Sequence, residues 1–509
     1  MQNHVEEFRK DLKRFREMTS KFYRGEVTVP EYKGFSGGFG SYAQRGGKQS
    51  MLRLGFTGGR ITKEQLKFVA DSIRKHQIGK VHITTGQNIQ LHDLSEAQVC
   101  TLMEEALEAG IITRGGGGDY PRSIMATPLS GLVQEPFDVL PYADEAMDYL
   151  HGFINTVKFP RKLKVCFENS SANETHATFR DMGFVAEDDK TFTVYVAGGL
   201  GNNPKMGVKV AQKVEPDQIL YVLKTMVDIF VKYGNYENRG KARTRYLQDT
   251  LGAEDLQRIF AETLEQNLAA GGLDLQVTEK SVSKSGSGEI SHKRVIPQKQ
   301  EGLYAVWYHP IGGCPSTDFF GKLYDTVAGM DEIEVRLIPD EGLYVVNLTA
   351  DEAEKVLAVT QDGAQTQFET STSCIGATTC QVGIGKSQEL LRACVDRIRE
   401  EQFADGVLPA FHVSGCPGSC SAHQIGAIGF RGGMKPSEDG PKPAFAVFEN
   451  GNEQMGKERF GTDLGVMYAD VIPEFFAELG RAVSAKGMDY QQFRSQCGDE
   501  FMEIVKKYV

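Results

Sequence analysis

A chain of 509 residues and 56.2 kDa has room for about three domains, and 40% apolar with 25% charged residues is the composition of a folded globular protein, not of a mostly disordered one. The balance of 57 basic against 68 acidic residues, −11 overall, argues against a non-specific nucleic-acid binder. Nine cysteines are too sparse, and odd in number, for a disulfide scaffold.

The first residues, MQNHVEEFRKDLKRF, are charged throughout and lack the apolar stretch of a secretory signal. The most apolar run, Ile219 to Val231, is interrupted by Lys224 and Asp228, so no membrane span is expected. These features predict a cytoplasmic protein whose thiols serve metals or chemistry. Thr62 with Gln65 forms a capping box before Leu66, Val69, Ala70 and Ile73, which lie at helical spacing. Strands through Val81 and Ile83, then Ile89 and Leu91, follow, and Ser95 with Gln98 caps a second helix that Gly110 stops. Residues 280–300 are rich in Ser, Gly and Lys and read as a flexible linker. Beyond them the order returns: a helix from Ser316, strands around Val335 and Val345, and a helix capped by Thr349 with Glu352. Thr62 to Ser95 and Ser316 to Thr349 both span 33 residues. A second echo links FPRKLKV…GF, ending at Phe184, with LPAFHV…GF, ending at Phe430. The chain is therefore predicted to be an internally duplicated α+β protein.

Four cysteines fall in two pairs, Cys374 with Cys380 and Cys416 with Cys420, among small residues whose backbone N–H groups can approach sulfur closely. Four thiolates from two loops suit an iron–sulfur cluster or a structural zinc; buried structural thiols are the third possibility. Cys100, Cys166, Cys314, Cys394 and Cys497 have no partner at ligand spacing and read as small buried hydrophobes. Cations form a second set: Arg53 in LRLGFTGGR, Arg122 after the Gly115–Gly118 run, and Lys162 and Lys164, two apart and so on one side of an extended segment. Neither GGFG (37–40) nor GGLG (198–201) makes a dinucleotide fingerprint, so electrons or other reactants are expected from outside the chain.

Together the C-x5-C…C-x3-C pattern within SGCPGSC, the duplication, the cation set, and TTGQNIQLH (84–92), VAGGLGNNP (196–204) and NRGKARTRYL (238–247) resemble the sulfite and nitrite reductases. The resemblance implies a three-lobed fold with pseudo-twofold symmetry: an N-terminal helix and arm (1–48), ferredoxin-like half-domains at 49–118 and 301–369 that pair, and lobes at 119–279 and 370–509 with sirohaem between them. It implies that Cys374, Cys380, Cys416 and Cys420 hold a [4Fe-4S] cluster, with Cys420 shared with the sirohaem iron. Arg53, Arg122, Lys162 and Lys164 would bind the anion, while Gln90, Arg239, Arg243 and Arg245 would contact the cofactor. The activity implied is six-electron reduction of sulfite to sulfide or nitrite to ammonia, with electrons from ferredoxin or a flavoprotein. Lys164 is often neutral in nitrite-specific members, which favours sulfite; the cluster motif CIGATTCQVGIGKS leans toward nitrite. One departure stands out: the family's TTRQ reads TTGQ here, with Gly86 in place of an arginine, so His82 or Arg60 is expected to cover that role. His423, near Cys420, is not needed as an axial ligand. The reading from another class is a zinc-stabilised duplicated binding protein; a protein carrying a cluster but no haem is a third.

Overall fold

The computed structural model describes residues 2–278 and 280–509. The chain divides into two compact units. One comprises Met1–Gly199, Pro204–Tyr308 and Ser316–Gln361; the other comprises Leu200–Asn203, His309–Pro315 and Asp362–Val509.

In the first unit, a four-stranded antiparallel sheet takes the order Ser41–Ala43, Ser50–Leu54, Asn88–Leu94, Val81–Thr84. The helices Lys63–His76 and Glu96–Glu108 begin at the predicted capping boxes, with Thr62 and Ser95 each accepting from the third residue of its helix. The second half-domain repeats this plan in a sheet of Val295–Pro297, Tyr304–Tyr308, Leu343–Leu348 and Glu334–Leu337, which Arg60–Ile61 of the first completes at its edge. The two half-domains share one apolar core, from Leu52, Val69 and Leu91 to Val306, Leu323 and Val345. Thr349 caps the helix Ala350–Val359 as predicted, whereas Ser316 caps nothing: its carbonyl accepts from Phe319, and the helix runs Phe319–Val327 behind Asp318.

The repeat is kept to the level of single hydrogen bonds. Gln44 donates from Nε2 to Asp93 Oδ1 at 2.7 Å and accepts from the Asp93 amide at 2.9 Å. Located 254 positions later in both partners, Gln298 donates to Asn347 Oδ1 at 2.9 Å and accepts from the Asn347 amide at 2.7 Å. Asp93 and Asn347 both sit at positive φ, 60° and 63°, a conformation that costs a side chain energy unless its surroundings hold it.

Two further sheets have identical topology, three parallel strands followed by two antiparallel ones. In the first unit the order is Met125–Ala126, Val165–Glu168, Met182–Ala186, Phe192–Val196, Val208–Val214. The second unit has Thr372–Ser373, Phe411–Ser414, Ile428–Lys435, Lys442–Glu449, Thr462–Tyr468. Each sheet has its own core, around Phe167, Phe184 and Phe230 in one and Phe411, Phe430 and Phe476 in the other. The matching glycines before the two phenylalanines, Gly183 and Gly429, pass so close to the carbonyls of Ala177 and His423 that a Cβ has no room.

The helix Gln2–Tyr23 lies along Glu96–Glu108, with Arg16 paired to Glu104 at 2.7 Å and Phe8 packed with Leu107, Ile112 and Ile154. The segment read as a linker is pinned rather than loose. Ser283 and Lys284 give their amides to Glu332, Lys284 Nζ reaches Glu352 at 2.6 Å, and the end of the segment forms the strand Val295–Pro297. Among the described residues no helix is long and apolar enough to cross a membrane.

Candidate active site

The cations gather in the first unit around the glycine loop. Arg122 spends its guanidinium on that loop: Nη1 donates to the carbonyls of Gly115, Gly117 and Tyr120 at 3.0, 2.8 and 2.9 Å, and Nη2 to Gly118 at 2.7 Å. Arg53 Nη1 donates to Gly116 at 2.6 Å. The loop is thus wrapped on two arginines, and Gly117 is obligatory because a Cβ there would run into the Gly37 carbonyl and the Tyr42 hydroxyl. Main-chain bonds pair Arg122 with Leu163, whose side chain is buried. Its neighbours Lys162 and Lys164 are both half-buried. Burial, with Arg53, Arg243 and Arg161 nearby, pushes Arg122 down to about 10. Positive charge is therefore concentrated where water is scarce, which favours an anion.

Gln90 lies beside Arg53 in strand register, with its Oε1 3.2 Å from Nε2 of His92. The three arginines of NRGKARTRYL diverge. Arg239 is exposed and paired to Asp119, which also takes Arg161 at 2.8 Å. Arg243 is held by the buried carboxylate of Asp181 at 2.8 Å. Arg245 is 6% exposed, stacks on Tyr246, and keeps Nε and Nη1 without a hydrogen-bond partner. A buried guanidinium with two unspent donors fits a carboxylate of a bound cofactor. The two residues expected to stand in for the missing arginine have carboxylates beside them. Arg60 is committed to Asp144, and His82 is buried with Nε2 3.4 Å from Glu341 Oε1.

The four cysteines gather in the second unit. Gly415 donates its amide to Cys374 Sγ at 3.1 Å, Gly418 to Cys416 Sγ at 3.4 Å, and Ser387 Oγ lies 3.3 Å from Cys374 Sγ. Burial, with Cys420 close by, pushes the Cys374 thiol up to about 12, and burial raises Cys416 as well, with Cys420 and Cys380 in electrostatic reach. Thiols costly to ionise alone become ligands when a bound cation supplies the counter-charge. Among the described residues no three His, Cys, Asp or Glu side chains converge as on a single ion. Cys420 is the exposed member of the four. His423 is fully buried, its ring 5.0 Å from that of Phe448, and burial pushes it down to about 3.

Two carboxylates escaped the reading of the sequence, Asp119 and Asp181. Each ties two cationic segments together, and Asp181 stands in DMGF directly before the repeated Gly-Phe strand.

Residues 42–109 match the nitrite/sulfite reductase ferredoxin-like half domain, and residues 117–268 the nitrite and sulphite reductase 4Fe-4S domain. The four paired cysteines lie outside both matched stretches, in the structural repeat of the second. Similar curated proteins include the chloroplastic ferredoxin–nitrite reductase of Arabidopsis thaliana, 26% identical over 83% of this chain and 74% of its own. Another is the sulfite reductase [NADPH] hemoprotein beta-component of Bacillus licheniformis, 24% identical over 75% and 74%. The solved structure of Mycobacterium tuberculosis NirA protein covers 96% of this chain and 94% of its own with a TM-score of 0.79 at 21% identity, a likeness of fold.

Proposed function

Since the chain belongs to the sulfite and nitrite reductase family, we propose that it reduces a small oxyanion by six electrons, sulfite to sulfide or nitrite to ammonia. The observation that carries this reading is the set of four thiols on two loops, with backbone amides aimed at two of the sulfurs. Cys374, Cys380, Cys416 and Cys420 would hold a [4Fe-4S] cluster, and Arg245 would take a carboxylate of a sirohaem. When bound, these cofactors supply one-electron chemistry, repeated six times.

The chain's own residues do the rest. Arg53 and Arg122 fix the glycine loop and raise the local positive potential. Lys162 and Lys164 bind the oxyanion from one side and supply protons as each departing oxygen becomes water. Lys164 adds a charge that favours the more highly charged anion, sulfite. Electrons come from a separate protein, of which ferredoxin, named for the Arabidopsis relative, is the first choice.

A visible spectrum with iron and acid-labile sulfide analysis tests the cofactors. Colourless protein with stoichiometric zinc would sink the reading. Steady-state comparison of the two anions with reduced ferredoxin tests the substrate, with higher kcat/KM expected for sulfite.

A further inference from the structure

We propose that Asp181 is the positioning residue of the anion site, the fixed counter-charge that sets Lys164 and Arg243 in place. This rests on the function proposed above and names a further residue of the same site.

The Asp181 side chain is completely buried, and every donor around it belongs to a cationic segment. The backbone amide of Lys164 donates to Oδ2 at 3.0 Å. Arg243 Nη2 donates to both oxygens, at 2.8 and 3.0 Å, and Thr244 Oγ1 donates to Oδ1. A single carboxylate therefore joins the end of the Lys162–Lys164 segment to the start of the Arg243–Arg245 turn, which are about 80 residues apart in sequence. A carboxylate without water keeps its charge only when several donors compensate it. Here Arg243, Thr244 and Lys164 hold it below the ordinary range against the opposing effect of burial. The converse holds equally: two cationic segments packed side by side with little water need a fixed negative charge between them. Asp181 reaches the site only through its neighbours and contacts no reactant.

The repeat supports a role beyond folding. The position equivalent to Asp181 in the second sheet, 246 residues later, is Ala427. That strand carries the same Gly-Phe pair in the same parallel pairing, with alanine in place of the acid just before it. The architecture therefore does not require an acid there; the cations do.

Asp181→Asn keeps size and one acceptor oxygen, turns the other into a donor, and removes the charge. In the holoenzyme the visible spectrum should be retained, kcat for sulfite should fall about tenfold or more, and the alkaline limb of the kcat/KM profile should move to lower pH, because Lys164 loses its counter-charge. Spectral titration with sulfite should show a changed Kd in the absence of turnover. In a Lys164→Met background Asp181→Asn should cost less than it does alone, since part of its effect runs through Lys164.

Wild-type kcat, Kd and pH profile in Asp181→Asn, with the wild-type enzyme reducing sulfite normally, overturn the inference and leave the function standing. A wild-type holoenzyme that reduces neither anion overturns the function instead. If Asp181→Asn takes up no cofactor, Thr244→Val decides, because it removes one bond to Asp181 and keeps the charge. A two- to threefold fall in kcat with the spectrum intact supports the inference, and unchanged kcat overturns it.

Discussion

Thr127 stands in the first repeat where Cys374 stands in the second. The amide of Asn169 donates to Thr127 Oγ1 at 3.0 Å, as that of Gly415 donates to Cys374 Sγ at 3.1 Å. The amides of Thr127 and Cys374 donate in turn to Phe167 and Val413, each at 3.2 Å. The loops that follow also agree: Asn173 and His176 have φ of 57° and 62°, while Ser419 and Ala422, 246 positions on, have 51° and 52°. Ser170 and Glu174 fill the places of Cys416 and Cys420. The backbone cradle is therefore made by hydrogen bonds that do not depend on thiols. In the first copy Glu168, fully buried, stiffens it by accepting from Thr127, Ser170 and Thr175.

From this relationship Cys374→Ser should fold and fail to load. The serine hydroxyl can take the Gly415 amide as Thr127 takes that of Asn169. Far-UV circular dichroism should match the wild type, while iron, sulfide and visible absorption fall and activity drops on the order of 10³-fold or more, as when one member of an interdependent set is removed. Cys497→Ser, outside the set, should leave all five readings unchanged.

Lys162→Met should keep the spectrum and lose turnover by ~10²–10³, the loss expected when one charge-assisted contact to a developing anion is deleted in a site poor in water. Lys164→Asn should lower kcat/KM for sulfite several-fold more than for nitrite, because the removed charge matters more to the more highly charged anion. Equal losses for the two anions would remove Lys164 as the residue that distinguishes them.

What the sequence revealed followed the range of the interactions involved. Capping boxes are local, and Thr62, Ser95 and Thr349 cap as read. Ser316 failed because the chain spends two more residues in a turn before Phe319. The duplication was legible as spacing, but the strand of the first half-domain that completes the sheet of the second is a long-range pairing with no local mark. Lys162 and Lys164 were legible as a pair because alternation in an extended segment is a local rule. Arg239 and Arg243 read alike in the motif, and only the tertiary positions of Asp119 and Asp181 separate an exposed ion pair from a buried anchor. The carboxylates of Glu341 and Asp144 beside His82 and Arg60 are likewise tertiary neighbours with no local mark.

Gly86→Arg should be accepted. A Cβ at this position meets only Asn88 Nδ2 at 3.5 Å and Thr84 Oγ1 at 3.7 Å, ordinary van der Waals contacts. The backbone is not in the left-handed region, so the substitution adds no strain there. The expected outcome is unchanged folding and sirohaem content equal to or above that of the wild type, measured by pyridine extraction of the purified protein. Lower sirohaem content with intact folding would mean that the space beside Gly86 is already needed by the cofactor.

His151 should give the protein an acid-sensitive component of stability. Its imidazole is buried against Phe8, with ring centroids 5.7 Å apart, and burial, aided by nearby His4, pushes it from 6.5 down to about 3. The unfolded chain therefore takes up this proton well before the folded chain does. The contribution is fully present above about pH 6.5 and drains away as the pH falls toward 3, by up to ~1.4 kcal/mol per pH unit. His151→Phe keeps a ring in the same apolar setting and removes the titration. Calorimetric melting at pH 7.5 and 5.5 should show a drop in Tm that is smaller in the variant by about 1–2 °C. An identical drop in both proteins would place the titrating group elsewhere.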